Sequence, residues 1–137
     1  MTNGFYIFLV EDDFAQAKLF QFTLKKKHPE VTLLTFESGG KLLEHVDKQN
    51  VVQNANRIVL SDLNLPDMTG IELLDALKKT KWGDRVRFIL FTQIANPEIT
   101  EKAYSAGAAA ILTKADSYDE FESLVVSLVG FWSLNKI

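Results

Sequence analysis

The sequence contains no cysteine. This absence excludes a disulfide framework, a thiolate metal site and a cysteine nucleophile, and it is typical of a reducing compartment. No apolar run reaches the about 18 residues of a membrane span, and the first residues lack the basic start of a signal peptide. Positive charge is not in excess, since 15 Lys and Arg stand against 18 Asp and Glu. We therefore expect a soluble, cytoplasmic protein with neither a nucleic-acid nor a membrane partner.

Length and composition indicate one globular domain. The 137 residues are 47% hydrophobic and 24% charged, which is close to the average of globular proteins. A typical domain has about 100–150 residues, so residues 1–137 are predicted to form one domain. After the last predicted helix only residues 133–137 remain, so we expect no additional DNA-binding or catalytic domain. Whether the chain stands alone or is cut from a longer protein stays open.

Apolar runs alternate with amphipathic segments along the whole chain. The runs lack polar alternation, which is typical of strands that are covered on both faces. Five strands are predicted, at residues 5–10, 31–36, 57–61, 86–91 and 109–112. A helix follows each strand, and helix-start signals stand at Thr69-Gly70-Ile71-Glu72, Asn96-Pro97 and Ser117-Tyr118-Asp119-Glu120. The last helix carries an apolar stripe that reaches Trp132.

Strict alternation of strands and helices predicts an α/β fold with a five-stranded parallel sheet covered on both faces. For five strands the expected order is 2-1-3-4-5, the flavodoxin-like doubly wound arrangement. Ligands of such sheets bind beyond the carboxyl ends of the strands, between strands 1 and 3. We therefore expect a functional site at that edge of the sheet.

Polar residues follow four of the five predicted strands. They are Asp12 and Asp13, Asp62, Thr92, and Lys114. A single Asp at such a place is usually a turn residue or a helix cap, and Asp13 could simply cap the first helix. Three carboxylates that converge repel one another unless cations intervene. One lysine and one divalent metal ion would balance them, and oxygen ligands favour Mg²⁺. A hydroxyl and an ammonium facing that ion suit a phosphoryl group.

These residues resemble the receiver domain of bacterial two-component response regulators, in its stand-alone, chemotaxis-regulator-like form. The resemblance covers about residues 5–132 and rests on Val10-Glu11-Asp12-Asp13, Asp62-Leu63-Asn64-Leu65-Pro66-Asp67-Met68-Thr69-Gly70, Phe91-Thr92 and Thr113-Lys114. It implies that Asp62 is the phosphoacceptor and that Thr92 and Lys114 bind the phosphoryl oxygens. It also implies that Mg²⁺ is held by Asp12, Asp13, Asp62 and the backbone carbonyl of Asn64.

The resemblance further implies a signalling protein that catalyses only its own phosphoryl transfer and dephosphorylation. The expected donor is a sensor histidine kinase or a phosphotransfer protein. A downstream protein would bind at the face of helix 4, strand 5 and helix 5, where homodimers also form in this family. His28 and His45 are predicted to be surface residues and not phosphodonors.

Three positions depart from the commonest family pattern. Gln93 replaces a small residue after the strand-4 hydroxyl, where it would either gate access to the acceptor or face solvent. Ile111 stands at the switch position that often carries an aromatic ring. Ala115 replaces the proline after the lysine, and because a non-proline cis bond costs about 2.5–4 kcal/mol, we expect a trans bond there.

Three alternatives are kept beside this interpretation. A haloacid-dehalogenase-like phosphatase expects Asp-x-Asp at the first strand, whereas here position 64 is Asn and the paired acids come early. A degenerate receiver would bind partners without phosphorylation, for which Gln93 and Ile111 are the reasons. A flavodoxin is disfavoured because clustered carboxylates would repel the flavin phosphate.

Overall fold

The computed structural model describes residues 4–49, 56–93 and 95–133. Strands and helices alternate, with a short 3-10 helix at Gly83–Arg85 that sequence analysis did not predict. The strands are β1 Phe5–Val10, β2 Thr32–Phe36, β3 Asn56–Asp62, β4 Arg87–Thr92 and β5 Ala110–Thr113. The helices are α1 Phe14–Lys27, α2 Gly39–Lys48, α3 Gly70–Lys78, α4 Pro97–Ala106 and α5 Tyr118–Ser133.

All neighbouring strands pair in parallel, in the order β2-β1-β3-β4-β5. This confirms the predicted fold class and strand order. The register aligns the carboxyl ends of the central strands, because Val10 lies opposite Ser61 and Asp62 lies opposite Phe91. The residues that follow these strands therefore meet at one edge of the sheet.

Two apolar clusters cover the two faces of the sheet, as continuous apolar strands require. One cluster joins β1, β3 and β4 to α1 and α5, and Ile7, Phe20 and Val125 are among its buried members. The other lies under α2, α3 and α4. Trp132 is 8% exposed and belongs to the first cluster, which confirms the predicted apolar stripe of α5.

Helix ends follow the predicted signals with one difference. Thr69 and Glu72 form the predicted capping box at α3. At α5, Ser117 Oγ accepts the N–H of Glu120, but the Glu120 carboxylate accepts the N–H of Asp116 at 3.3 Å. The reciprocal half of the predicted box is therefore displaced by one residue.

His45 is not the surface residue that sequence analysis predicted. Its ring centroid lies 5.3 Å from that of Phe36 and 6.0 Å from that of Phe8. Burial among these rings lowers the pKa of His45. The polar side of α2 thus contributes a half-buried ring to an aromatic cluster.

No helix in the described part of the chain combines the length and the apolar composition needed to cross a membrane.

Candidate functional site

An acidic group lies where β1 and β3 end. It consists of Glu11, Asp12 and Asp62, whose carboxylate oxygens all lie within 4.8 Å of one another. Glu11 is buried, Asp62 is half-buried and Asp12 is exposed. The N–H of Glu11 donates to Phe36 O at 2.9 Å, so that the backbone continues the β1–β2 ladder and turns the Glu11 side chain into the crevice.

Asp13 caps the first helix, which is one of the two roles that the sequence left open for it. It is the N-cap of α1, and its Oδ1 accepts the backbone N–H of Gln16 at 3.1 Å. The structure therefore brings Asp12 and Asp62 together, adds Glu11, and leaves Asp13 outside this group among the described residues. A signal for this arrangement stands in the sequence, since an Asp three residues before a Gln at a helix start is typical of a cap.

Lys114 supplies the positive charge of the site. Its Nζ lies 3.1 Å from Glu11 Oε1, 3.3 Å from Asp62 Oδ1 and 2.9 Å from Gln16 Oε1. The backbone N–H of Lys114 donates to Thr92 O at 2.8 Å, which fixes the lysine beside the end of β4. Sequence analysis predicted Lys114 here but missed its amide partner Gln16.

Burial and like charge act together on Glu11. Its pKa is raised, first by burial and then by the charge of Asp62, while the hydrogen bond and charge of Lys114 act in the opposite direction. Three carboxylates and one ammonium leave two negative charges when all are ionised. One divalent cation would balance these two charges, and the closely spaced oxygen atoms suit a hard ion.

The loop after Asp62 holds the end of β3 in place. Asp62 Oδ1 accepts the N–H of Leu63 at 3.1 Å, and the N–H of Gly70 donates to Leu63 O at 2.7 Å. A Cβ atom at Gly70 would lie 2.5 Å from the backbone oxygen of Asp62. Position 70 therefore requires a glycine, because the backbone of Asp62 approaches it closely. Asn64 in the same loop is exposed and pairs with Thr69 in an antiparallel bridge.

Asp67 ties this loop to α2. Its carboxylate accepts the N–H of Gly39 at 3.1 Å and that of Gly40 at 2.8 Å. These bonds lower the pKa of Asp67, since they stabilise its ionised form. The start of α2 and the loop that follows the acidic group are therefore held as one unit.

The remaining predicted residues lie in or next to β4 and β5. Thr92 is the last residue of β4 and is 5% exposed. Gln93 is exposed and, with Lys114 and Ala115, lines a cavity of about 280 Å³ between α1 and the start of α5. Ile111 is half-buried against the cluster under α2, α3 and α4.

The Lys114–Ala115 peptide bond is trans, which confirms the expectation for a lysine that no proline follows.

Comparison with known proteins gives consistent matches. Residues 7–125 match the family described as "Response regulator receiver domain". Response regulator Rcp1 of Synechocystis is 27% identical over 128 residues, which cover 92% of this chain and 87% of that protein.

Two solved structures share the fold over 93% of both chains. The phosphorylated cyanobacterial phytochrome response regulator RcpA has a TM-score of 0.80 at 25% identity. The Mn²⁺-bound form of response regulator Rcp1 has a TM-score of 0.77 at 27% identity.

Proposed function

The chain belongs to the response regulator receiver domain family, whose members act in phosphorylation-dependent two-component signalling, and we propose that Asp62 is its phosphoacceptor. The observation that carries this assignment is the position of the Asp62 carboxylate. It shares the acidic group with Glu11 and Asp12 and lies 3.3 Å from the ammonium of Lys114. Glu11 also lies in this group and beside Lys114, but its side chain is 5% exposed against 17% for Asp62. Asp62 is therefore the carboxylate beside both the oxygen cluster and the lysine that a phosphodonor can reach.

The proposed reaction is a phosphoryl transfer to a carboxylate. An oxygen of Asp62 forms a bond to phosphorus while the bond from phosphorus to the donor breaks. The electron pair leaves with the donor, which is an imidazole nitrogen of phosphohistidine or the acetate of acetyl phosphate. The Thr92 hydroxyl and the Lys114 ammonium hold the phosphoryl oxygens on which charge develops. Water later attacks phosphorus, releases phosphate and restores the carboxylate.

We assign the metal-binding role to Glu11, Asp12, Asp62 and the backbone carbonyl of Asn64, and the capping role to Asp13. Mg²⁺ is the ion that fits best, because it is held in proteins by few carboxylates together with substrate oxygens. When bound, it neutralises charge on the phosphoryl oxygens. Support comes from the deficit of positive charge in the acidic group and from the Mn²⁺-bound form of the relative Rcp1.

The proposed partners follow from the family. The donor is a sensor histidine kinase or a phosphotransfer protein in the cytoplasm, and phosphorylation alters binding of a downstream protein at α4, β5 and α5. Ile111 lies in β5 between these helices and takes the switch position. An isoleucine has no ring to rotate and is restricted at χ1, so this switch depends on packing more than on an aromatic flip.

Intact-protein mass spectrometry tests the assignment. With acetyl phosphate and Mg²⁺ the wild-type protein should gain one phosphoryl group, and chelation of Mg²⁺ should prevent the gain. Asp62→Asn should abolish it, whereas Asp75→Asn, a matched change at an exposed residue of α3, should leave it unchanged. A normal gain in Asp62→Asn would overturn the proposal.

A further inference from the structure

Gln16 makes the shortest of the three polar contacts to the Lys114 ammonium, at 2.9 Å from its Oε1. We propose that Gln16 is a positioning residue for phosphoryl transfer, which holds the Lys114 ammonium where a phosphoryl oxygen is received. This inference rests on the proposed role of Asp62 as acceptor.

The Lys114 ammonium has as many neighbouring acceptors as it has N–H groups. A lysine ammonium carries three N–H groups, and its three neighbouring acceptors are Glu11 Oε1, Asp62 Oδ1 and Gln16 Oε1. Two of these acceptors are charged and belong to the acidic group, whereas the amide of Gln16 is neutral and belongs to α1. The amide therefore holds the ammonium from α1, outside the acidic group.

This arrangement determines which bond has to change during the reaction. When Asp62 becomes the acyl phosphate, its contact with Lys114 is the one that passes to a phosphoryl oxygen. The contacts with Glu11 and Gln16 can persist, so the ammonium does not need to search for its place. Without Gln16, the Lys114 ammonium is attracted only by the Glu11 and Asp62 carboxylates. The ammonium then lies closer to the Asp62 oxygen that has to attack phosphorus, and it hinders that attack.

The start of α1 fixes the position of Gln16 in turn. The backbone N–H of Gln16 is the group that the Asp13 carboxylate caps, at 3.1 Å. The Gln16 side chain borders the cavity between α1 and α5 together with Phe91 and Gln93. The helix cap at Asp13 thus has a consequence for the site, because it orients the residue that holds the lysine.

Gln16→Met tests the inference, because methionine keeps the length of the side chain and removes its carbonyl oxygen. The backbone bond to Asp13 is retained. The rate constant of labelling by acetyl phosphate at saturating Mg²⁺ should fall about tenfold, the typical worth of a hydrogen bond to a charged group. Gln21→Met, the same change at an exposed residue of α1, should leave the rate within about a factor of two.

A second measurement reports on the contact itself. The ¹⁵N NMR signal of the Lys114 ammonium should be protected in the wild-type protein, since the side chain is only 10% exposed. It should broaden or exchange rapidly in Gln16→Met and persist in Gln16→Glu, which keeps an acceptor oxygen. A merely structural role of Gln16 would not separate these two variants.

The outcomes distinguish the two proposals. If the wild-type protein gains no phosphoryl group, the proposed function fails and the inference fails with it. If the wild-type protein is labelled and Gln16→Met is labelled equally fast, the inference alone is overturned. Loss of the Lys114 signal in both Gln16→Met and Gln16→Glu would also overturn it.

Discussion

Lys114 Nζ lies 3.1 Å from Glu11 Oε1, although 103 positions separate the two residues in the sequence. Both side chains are nearly buried, at 10% and 5% exposure. Removing one partner of such a pair leaves the other charge in a poorly solvated place, which costs more than the pair itself contributes. We therefore expect loss of either partner to lower the stability of the protein as well as to alter the site.

Lys114→Met should lower the free energy of unfolding of the Mg²⁺-free protein by about 3 kcal/mol at about pH 8. The reason is the ionised Glu11 carboxylate, which then has no cation beside it. Urea unfolding in a chelator measures the effect. Lys48→Met, at an exposed lysine of α2, is the control and should change the free energy by less than about 0.5 kcal/mol.

The deficit of Lys114→Met should depend on pH. Burial and the charge of Asp62 already raise the pKa of Glu11 above its ordinary value, and loss of the lysine raises it further. As pH falls from about 8 toward about 5, the folded variant takes up a proton that the unfolded chain does not yet bind, so the folded state gains relative stability. The deficit should shrink accordingly. An equal deficit at both values would contradict the buried-charge explanation.

Mg²⁺ affinity distinguishes Glu11 from Asp13. Glu11→Gln should raise the dissociation constant for Mg²⁺ at least about tenfold, because it removes a carboxylate within the oxygen cluster. Asp13→Asn removes the same charge but keeps a good helix cap, so its affinity should stay within about a factor of two of the wild type. Isothermal titration calorimetry with MgCl₂ measures both. A larger effect of Asp13→Asn than of Glu11→Gln would indicate that Asp13 is the metal ligand.

The convergence of Asp62, Thr92 and Lys114 could be predicted from sequence for a physical reason. Apolar runs locate the strands of a parallel sheet, and the winding rule then places the strand ends together. The register of the sheet agrees, because Asp62 lies opposite Phe91 and Thr92 lies opposite Thr113. An error of one residue in the predicted end of a strand does not change this prediction unless several polar residues follow the strand.

Such a run follows β1, and it explains why Glu11 was missed. Three acids stand between Val10 and Phe14, and an Asp serves equally well as a metal ligand or as a helix cap. Only the backbone geometry of the α1 start decides between these roles. Contacts across elements, such as those of Gln16 and His45, depend on how helices rotate against the sheet, which periodicity alone does not specify.

Gly70→Ala should destabilise the protein by about 1–3 kcal/mol, as overpacking does. Its Cβ would lie 2.5 Å from the backbone oxygen of Asp62 and 2.7 Å from Leu90 Cδ1. Because the backbone of Asp62 must shift, phosphorylation should slow as well. Gly130→Ala is the matched control, since nothing lies within 4 Å of the added atom, and it should stabilise α5 by up to about 1 kcal/mol. Thermal unfolding of the two variants checks both signs.

Substitution of Gln93 tests whether its side chain obstructs access to Asp62. Its exposed side chain borders the cavity that also contains Lys114. If it lies across the approach to Asp62, Gln93→Ala should speed both labelling by acetyl phosphate and loss of the phosphoryl group, since in-line attack needs an open path. If it faces solvent, both rates should stay within about a factor of two. Slower loss in the alanine variant would exclude both and assign the amide to orienting the attacking water. Gln21→Ala serves as the control, with both rates unchanged.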